Sequence, residues 1–327
     1  MVRTAVRVAV LLVAVGLLAE PAGAQSPLAA SDLYRLRSVG DVAFSPDATR
    51  IAYTVTSNPP EGRPYSQLWL MEVATGRAAR VGDDQSRGSS PVWSPDGTRL
   101  AFQGRIASGD SGVIVVRADG SGAEFIAPKQ GTNSAAITME GDGLAWSPDG
   151  RRLAIVHATP GPETAAADGD PKVITRYLYK PTASEGNTRF NDNRRLHIFI
   201  ADLATRQVRQ LTDGIYSEHS IDWSPVSDEI LFVSNREPDP DFVFNNDLFA
   251  ITVSTGAIRR VTATENAEYR PRWSPDGRTI AYQATRRGIT DLEIARRFGE
   301  QPVAKGDHQR RRLGRAGHGV IGRGHWQ

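Results

Sequence analysis

Short apolar runs alternate with turn signals along most of the chain, and no long segment shows the 3.6-residue apolar period of a helix. The runs are rich in β-branched and aromatic residues, which predicts strands. Clear examples are QLWLMEV at 67–73, GVIVVRA at 112–118, LHIFIADL at 196–203 and DLFAITV at 247–253, with third strands QVRQLT at 207–212 and AIRRVT at 257–262. The short turn signals ATG, DG, ATR and STG follow the first four runs. They predict antiparallel hairpins, because glycine supplies the positive φ that such loops need.

One pentapeptide, WSPDG, occurs three times, at residues 93–97, 146–150 and 273–277. Two degenerate copies, FSPDA and WSPVS, begin at Phe44 and Trp223. The first residues of the five copies, 44, 93, 146, 223 and 273, are separated by 49, 53, 77 and 50 residues. A period near 50 with one long insertion indicates a repeat architecture.

The residues of the motif predict a structural role for it. Ser-Pro-Asp-Gly matches a type I turn, with serine first, proline presetting φ at the second position and glycine fourth. A β-rich run such as Leu100 to Phe102 follows at once, and the aromatic residue before each turn is suited to packing between neighbouring repeats. The recurring aspartate is a potential cation ligand, yet no cluster of oxygen ligands at calcium-loop spacing surrounds it.

Three or four antiparallel strands in each repeat of about 50 residues are typical of β-propeller blades. We therefore predict an all-β chain, a β-propeller of TolB-like or WD-like repeats with at least five recognisable blades. The predicted propeller covers residues 25–295, and an insertion at 158–195 accounts for the 77-residue spacing. Within the insertion, VITRYLYK predicts an extra strand or a hairpin arm. Arg176 and Tyr177 in it could face a peptide or cap a blade edge.

The first 24 residues have the pattern of a secretory signal peptide. Arg3 and Arg7 precede an apolar run from Val8 to Ala19, and the small residues Ala22-Gly23-Ala24 form a cleavage site. The run is shorter than the roughly 20 apolar residues of a membrane-spanning helix. We expect export to the periplasm or the medium, with no stable membrane anchor after cleavage. The chain has no cysteine, so thiol chemistry and disulfides are excluded.

The formal net charge of +2 is unevenly distributed. The tail, residues 296–327, carries +6 and the leader +1, which leaves −5 for residues 25–295. A mildly acidic body gives little support to nucleic-acid binding. The tail is rich in Arg, Gly and His and lacks the alternation of apolar and polar residues that strands show. We interpret this abrupt change as a frameshift product. The alternative is a natural basic disordered tail, which would have the same composition.

The repeats also carry a family resemblance. Repeated WSPDG with its trailing strand resembles the TolB-like propeller repeat. The stretches PKVITRYLYK, RRLHIFIADLATRQVRQLTDG, DWSP and SNREPDPD, between residues 171 and 241, are similar to the propeller of exported acylaminoacyl-peptidase or dipeptidyl-peptidase-type enzymes of the prolyl oligopeptidase family. The resemblance spans roughly residues 28–293. In that family a propeller that filters oligopeptides precedes an α/β-hydrolase domain with a Gly-x-Ser-x-Gly nucleophile elbow.

No Gly-x-Ser-x-Gly occurs in this sequence; the glycines near Ser89 and Ser111 have the wrong spacing. We therefore expect no catalytic, cofactor-binding or metal-binding residues and no cofactor. The expected function is that of a non-catalytic propeller, inactive alone, which gates oligopeptide access to a hydrolase domain absent from this chain. The alternative is a stand-alone TolB-like periplasmic propeller. Its partners would be peptides or a protein bound at the propeller face or channel. A propeller enzyme with paired carboxylates in the channel is a third possibility, but no pair stands out by position.

Two groups of residues have the composition of a catalytic triad or a metal site. Ser217 to Asp222 contains Ser, His and Asp within six residues, but in an extended strand Ser220 and Asp222 face one side and His219 the other. They could not then form a relay. His308, His318 and His325 lie in the tail at loose spacing, and we interpret them as solvated rather than metal-binding.

Overall fold

The computed structural model describes residues 29–107, 109–132, 142–161, 192–238, 240, 245–264, 267–286 and 289–296. The predicted signal peptide, the tail beyond residue 296 and residues 162–191 of the predicted insertion lie outside the described residues, together with Arg176, Tyr177 and the three tail histidines. The limits predicted for these segments therefore stay predictions.

The chain divides into two compact units. Of the described residues, the smaller unit contains 29–38 and 57–65. It includes the 3₁₀ helix Ala30–Arg35, whose N-terminus is fixed by the backbone N–H of Ala29, which donates to Asp32 Oδ2 at 2.9 Å. In the same unit the Asn58 amide donates to the carbonyl of Leu36 at 3.3 Å. The larger unit contains the other described residues, 39–56 and those from 66 onward.

The described strands form five sheets that follow one another along the chain, each with its strands in sequential order. Sheet 1 contains β1 (Arg37–Phe44), β2 (Arg50–Ser57), β3 (Tyr65–Glu72) and β4 (Ala78–Arg80). Sheet 2 contains β5 (Arg87–Trp93), β6 (Arg99–Arg105), β7 (Gly112–Arg117) and β8 (Glu124–Pro128). Sheet 3 contains β9 (Leu144–Trp146), β10 (Arg152–Pro160), β11 (Arg194–Asp202) and β12 (Val208–Gln210). Sheet 4 contains β13 (Glu218–Trp223), β14 (Glu229–Ser234), β15 (Asp247–Thr252) and β16 (Ile258–Arg260). Sheet 5 contains β17 (Glu268–Trp273), β18 (Thr279–Arg286) and β19 (Ile289–Arg296).

Each sheet begins with the strand that ends in one copy of the predicted motif, so one repeat forms one sheet. The strands predicted from the apolar runs are confirmed, with ends that differ by at most two residues. In sheets 2 to 5 all described strand pairs are antiparallel, as the short turns require. The fold is the all-β arrangement of successive antiparallel blades that the 50-residue period predicts, with four four-stranded sheets and a fifth sheet of three described strands.

The core consists of four apolar clusters, each between two consecutive sheets. One joins sheets 1 and 2 through Leu68 and Phe102, and the next joins sheets 2 and 3 through Val115 and Ile155. The others join sheets 3 and 4, and sheets 4 and 5. Because a middle sheet has a neighbour on both faces, its central strands are apolar at nearly every position, as in β7, where GVIVV is buried throughout.

The SPDG turn is held by its own side chains. In the second copy the N–H of Gly97 donates to the carbonyl of Ser94 at 2.9 Å, which is the bond expected of the predicted turn. The Ser94 hydroxyl donates to Asp96 Oδ1 at 2.6 Å and accepts the N–H of Arg99 at 2.9 Å. Bonds from Ser94 and Thr98 hold the pKa of Asp96 below its usual range. The aspartate of the motif is therefore engaged within the turn. The same serine–aspartate bond recurs at Ser45, Ser147 and Ser274.

The degenerate fourth copy forms a bend at the same place with a different side-chain contact. Val226 stands where the other copies have aspartate, and the hydroxyl of Ser227 donates to Ser224 Oγ at 2.8 Å instead. The Val226 side chain occupies the space beside Gly277 of the next turn, where a Cβ would collide with it. Gly277 also has φ of 66°, which favours glycine. Consecutive turns thus touch each other as well as their own strands.

The tryptophan of each motif binds the preceding sheet. The indole N–H of Trp93 donates to the carbonyl of Ala43 at 3.0 Å, and that of Trp146 donates to Val92 at 2.9 Å. Both acceptors lie one position before the aromatic residue of the preceding motif. The Arg99 guanidinium lies 5.0 Å above the Trp146 ring. The predicted role of the aromatic residue, packing between repeats, is confirmed for the four tryptophans, which are buried.

Candidate functional site

Charged side chains from three sheets meet where the first strands of consecutive sheets lie side by side. β9, β13 and β17 are neighbours in this order. Arg272 on β17 forms ion pairs with Asp142, just before β9, and with Asp222 on β13, whose Oδ1 lies 3.8 Å from the arginine NH1. Asp222 Oδ2 also accepts the N–H of Trp273 at 2.6 Å. We call Asp142, Asp222 and Arg272 the first-strand cluster.

The first-strand cluster is open to solvent at two of its three members. The side chains of Arg272 and Asp142 are 45% and 47% exposed, while that of Asp222 is 24% exposed. Burial raises the pKa of Asp222 to about 6, and the nearby Asp142 adds to this, whereas Arg272 and the N–H of Trp273 act against it. The cluster offers a guanidinium donor and carboxylate acceptors at an accessible surface. This suits hydrogen bonding to a polar or charged chain segment.

Sequence reasoning missed this cluster, although the repeat contains a signal for it. Asp222 and Arg272 each stand directly before the tryptophan of their motif, where sheets 1 to 3 have Ala43, Val92 and Ala145. An alignment of the five repeats that included the residue before the motif aromatic would have shown two charged residues, Asp222 and Arg272, at a position that is apolar in the other three repeats. That the two meet across the sheets depends on strand placement, which the alignment does not contain.

A second polar cluster, centred on a fully buried glutamate, lies between sheets 3 and 4. Glu218 has no exposed surface. Its Oε2 lies 2.9 Å from His197 Nδ1 and accepts the hydroxyl of Thr212 at 2.8 Å, while Oε1 accepts from Arg236 at 2.8 Å. The Arg236 guanidinium lies 5.0 Å above the ring of Phe249. A fully satisfied buried network of this kind fixes the positions of the strands that contribute to it.

The same arrangement recurs one repeat later. Thr262 donates to the buried Glu268 at 3.0 Å, as Thr212 does to Glu218, and in both pairs the glutamate follows the threonine by six residues. Asp247 stands fifty residues after His197, at the equivalent position of the repeat, and forms an ion pair with Arg260. Because the network is repeated with the sheets, we assign it to architecture rather than to binding.

The segment from Ser217 to Asp222 differs from its predicted geometry. A β-bulge interrupts the strand between His219 and Asp222, and Ser220 has φ of 54°. The bulge brings the Ser220 hydroxyl to 2.8 Å from His219 Nδ1, so the expectation that these two side chains face opposite sides is wrong. Asp222 is engaged with Trp273 and Arg272 instead. Both His219 and Ser220 are buried, which gives a substrate no access to them.

The buried His219 is expected to make stability depend on pH. Burial lowers the pKa of His219 to about 4, against about 6.5 in an unfolded chain. The unfolded state therefore binds the proton more strongly, so the contribution is complete above pH 6.5 and is lost as the pH falls toward 4. The loss is about 3 kcal/mol. It is measured as the difference in unfolding free energy between the wild type and His219→Gln, by urea titration at several pH values.

The difference between the two proteins is the quantity to follow, because Asp222 acts in the opposite direction. Its raised pKa gives stability below the unfolded value that is lost as the pH rises through about 6. This contribution is the same in both proteins and cancels. A gap between wild type and His219→Gln that stays constant from pH 7 to pH 4 would show that His219 is not held neutral.

Two further features bear on the sequence predictions. Within the described ranges, no group of three or more His, Asp or Glu side chains is arranged to hold a metal ion. In the same part of the chain, no helix has the length and hydrophobicity that a membrane crossing requires.

Comparison with known proteins gives two curated relatives. No family model matches the chain. The chain is 24% identical over 262 residues to the uncharacterized peptidase YuxL of Bacillus subtilis, an alignment that covers 79% of this chain and 31% of the relative. It is 23% identical over 290 residues to dipeptidyl-peptidase 5 of Porphyromonas endodontalis, covering 81% and 40%. The chain thus spans about a third of the length of the curated relatives that it matches.

Solved structures share the fold. A putative TolB of Agrobacterium tumefaciens superposes with a TM-score of 0.53 at 15% identity, over 80% of this chain and 77% of the other. The acylaminoacyl peptidase of Pyrococcus horikoshii gives 0.53 at 14% identity, over 84% and 47%. The chain has the TolB-like propeller fold, and the two curated relatives that it resembles are peptidases. The five sheets are its blades, which confirms the predicted fold class and the family resemblance.

Proposed function

We propose that this propeller is the non-catalytic portion of an exported serine peptidase of the prolyl oligopeptidase type, and that it limits the access of oligopeptides to a hydrolase domain that these residues do not contain. Both curated relatives are named as peptidases, and both alignments leave more than half of the relative unmatched. A propeller that accompanies a larger catalytic polypeptide accounts for this coverage.

The first-strand cluster is the observation that carries the gating role. Arg272 connects sheets 3 and 5 through Asp142, and its exposed guanidinium shares the surface with two carboxylates. An extended peptide that passes along the first strands would meet both a donor of positive charge and acceptors for its N–H groups. Because the ion pairs are partly exposed, they can open at modest cost and exchange with those of a peptide.

The absence of catalysis is tested with the purified chain. We expect no hydrolysis of aminoacyl or acylaminoacyl p-nitroanilides and no covalent labelling by a fluorophosphonate probe, which reacts with activated serines. The support for this is that Ser220, the serine closest to a histidine in the predicted triad segment, is buried. Labelling of any serine in the folded chain would overturn the non-catalytic assignment.

Peptide contact at the first-strand cluster is tested by fluorescence anisotropy with a short fluorescein-labelled peptide. Arg272→Gln is expected to weaken binding by about tenfold, which corresponds to about 1.4 kcal/mol. Arg278→Gln is the matched control, because Arg278 is an exposed arginine of the same repeat, directly after the SPDG turn. Equal affinities for the two variants and the wild type would contradict a peptide-contacting role for the cluster.

The proposal is separated from its alternative by the DNA that follows the codon for Gln327, translated in all frames. Further WSPDG repeats and then a Gly-x-Ser-x-Gly elbow would support a peptidase whose catalytic residues are encoded downstream. If no such sequence is found and the chain captures a protein rather than peptides, the result supports the alternative, a stand-alone TolB-like binding propeller.

A further inference from the structure

Each of sheets 2 to 5 packs on the preceding sheet with residues at the same places in the repeat. They are the tryptophan of the motif and the residues seven and nine positions after it. The later two positions hold Leu100 and Phe102, Leu153 and Ile155, Ile230 and Phe232, and Ile280 and Tyr282. All eight side chains are at most 2% exposed, and each pair belongs to the apolar cluster shared with the preceding sheet.

Sheet 1 has apolar residues at the same three places in the repeat, but their side chains are exposed or only half-buried. Phe44 replaces tryptophan and is 58% exposed, against at most 8% for its four equivalents. Ile51 and Tyr53, seven and nine positions later, are only half-buried. Val42, two residues before Phe44 on the same strand, is 57% exposed. We call Val42, Phe44, Ile51 and Tyr53 the open face of sheet 1.

The opposite side of sheet 1 shows that this exposure is confined to one face. Ala52 and Leu68 are buried against sheet 2 and belong to the cluster that the two sheets share. One face of sheet 1 is therefore covered by the following blade, sheet 2. The other face carries the apolar residues that, in sheets 2 to 5, pack on a preceding blade.

Sheet 5 presents the complementary side. Its Ile280, Tyr282 and Ala284 pack on sheet 4, so the alternate residues Ala281 and Gln283 point to the other face, where they are half-buried. Their equivalents in sheet 4, fifty residues earlier, are Leu231 and Val233, and these are fully buried against sheet 5. Sheet 5 thus carries the face on which a following blade would dock.

We propose that the open face of sheet 1 docks on sheet 5 of a second copy of this chain, head to tail, and continues the blade-on-blade interface that the chain already repeats four times. The two faces are equivalent to the two sides of the interface between sheets 4 and 5, with Ala281 and Gln283 in sheet 5 where sheet 4 has Leu231 and Val233. The Phe44 side chain has no N–H, so no side-chain donor is left unpaired when it enters the place of a tryptophan. This inference concerns self-association of these five blades; in a longer polypeptide with further WSPDG repeats, those repeats would occupy the same two faces.

The physical reasons are the apolar area and the asymmetry of the contact. Val42 and Phe44 are more than half exposed and Ile51 and Tyr53 are partly exposed, and apolar residues left open in this way on one sheet face mark an interface. Because the two docking faces are different surfaces of the chain, the contact is heterologous, and association forms a closed ring or continues to larger species.

Sedimentation velocity across a wide range of protein concentration tests the proposal. The wild type is expected to show a weight-average sedimentation coefficient that rises with concentration, and Phe44→Asp is expected to remain monomeric. Val42→Asp, on the same face, is a second variant with the same expectation. Ile215→Asp is the control, because Ile215 is equally exposed, at 57%, but lies in the loop before β13 rather than on a sheet face. A wild type that is monomeric throughout, or association that Phe44→Asp leaves unchanged, overturns the proposal.

A mixing experiment tests the head-to-tail geometry. Ala281→Arg places a charge on the docking face of sheet 5 and leaves the open face of sheet 1 intact, whereas Phe44→Asp does the reverse. Each variant alone is expected to be monomeric, and an equimolar mixture is expected to form a dimer and nothing larger, because only one competent interface can assemble. Far-UV circular dichroism checks that both variants are folded. A mixture that stays monomeric contradicts the assignment of the two faces to each other.

Discussion

Replacement of Glu218 by alanine is expected to destabilise the protein by about 3–5 kcal/mol, because it removes one partner of a buried ionic network and leaves the others unpaired. Glu218 is fully buried and binds His197, Thr212 and Arg236. The alanine variant would leave the arginine beside the aromatic rings without its carboxylate, at 24% exposure of the arginine side chain. Urea-induced unfolding at neutral pH, followed by circular dichroism, measures the loss.

Glu61→Ala is the matched control for this prediction. Glu61 is exposed, and an exposed substitution of this kind normally changes stability by less than about 0.5 kcal/mol. Glu268→Ala, in the equivalent network of the next repeat, is expected to resemble Glu218→Ala, since Glu268 is also fully buried and binds Thr262. If Glu218→Ala were as stable as Glu61→Ala, the network would be dispensable and its architectural assignment incorrect.

The parts of the fold that the sequence predicted are those with local causes. The SPDG turn depends on residues within five positions of each other, so the bonds among Ser94, Asp96 and Gly97 follow from the local sequence. Strand positions follow from apolar runs for the same reason, and the 50-residue spacing adds the number of sheets. The spacing does not predict which face of a sheet is covered by a neighbour. Phe44 and Trp93 are aromatic residues at the same place in the repeat, yet Phe44 is exposed and Trp93 is buried.

The charged and polar clusters could not be predicted, because their members are distant in the sequence. Asp142 and Arg272 are 130 residues apart and meet only when β9, β13 and β17 lie together. The contact between His219 and Ser220 was excluded wrongly for a different reason. Ser220 adopts a positive φ that non-glycine residues rarely take, and the resulting bulge breaks the alternation from which the exclusion followed.

The bulge also has a regular position, which only the structure makes visible. Positive φ values occur three residues before the motif aromatic in four of the five first strands, at Asp41, Ser90, Ser220 and Arg270. The four residues include an aspartate, two serines and an arginine, so no single residue type indicates the bulge. In sheet 1 the exposed Asp41 carboxylate accepts the N–H of Ser90 at 3.0 Å, which shows that the bulge also serves contact between sheets.

Replacement of Trp146 by alanine should destabilise the protein by about 3–5 kcal/mol, the usual cost of deleting a buried tryptophan. Trp146 is 6% exposed in the cluster between sheets 2 and 3, donates to the Val92 carbonyl at 2.9 Å and lies under the Arg99 guanidinium. Trp146→Phe keeps most of the apolar contact and loses the hydrogen bond, so about 1–2 kcal/mol is expected. Urea unfolding of the three proteins gives both differences.

Trp69→Ala separates the contribution of the interface from that of the residue type. Trp69 lies on β3 of sheet 1 and is only half-buried, so its removal leaves less of a cavity and is expected to cost clearly less than that of Trp146. The difference between the two alanine variants measures what enclosure between two blades adds to a tryptophan. Equal losses at the two positions would mean that blade-to-blade packing is not the main source of stability, and would remove the physical basis for a repeated WSPDG motif in this chain.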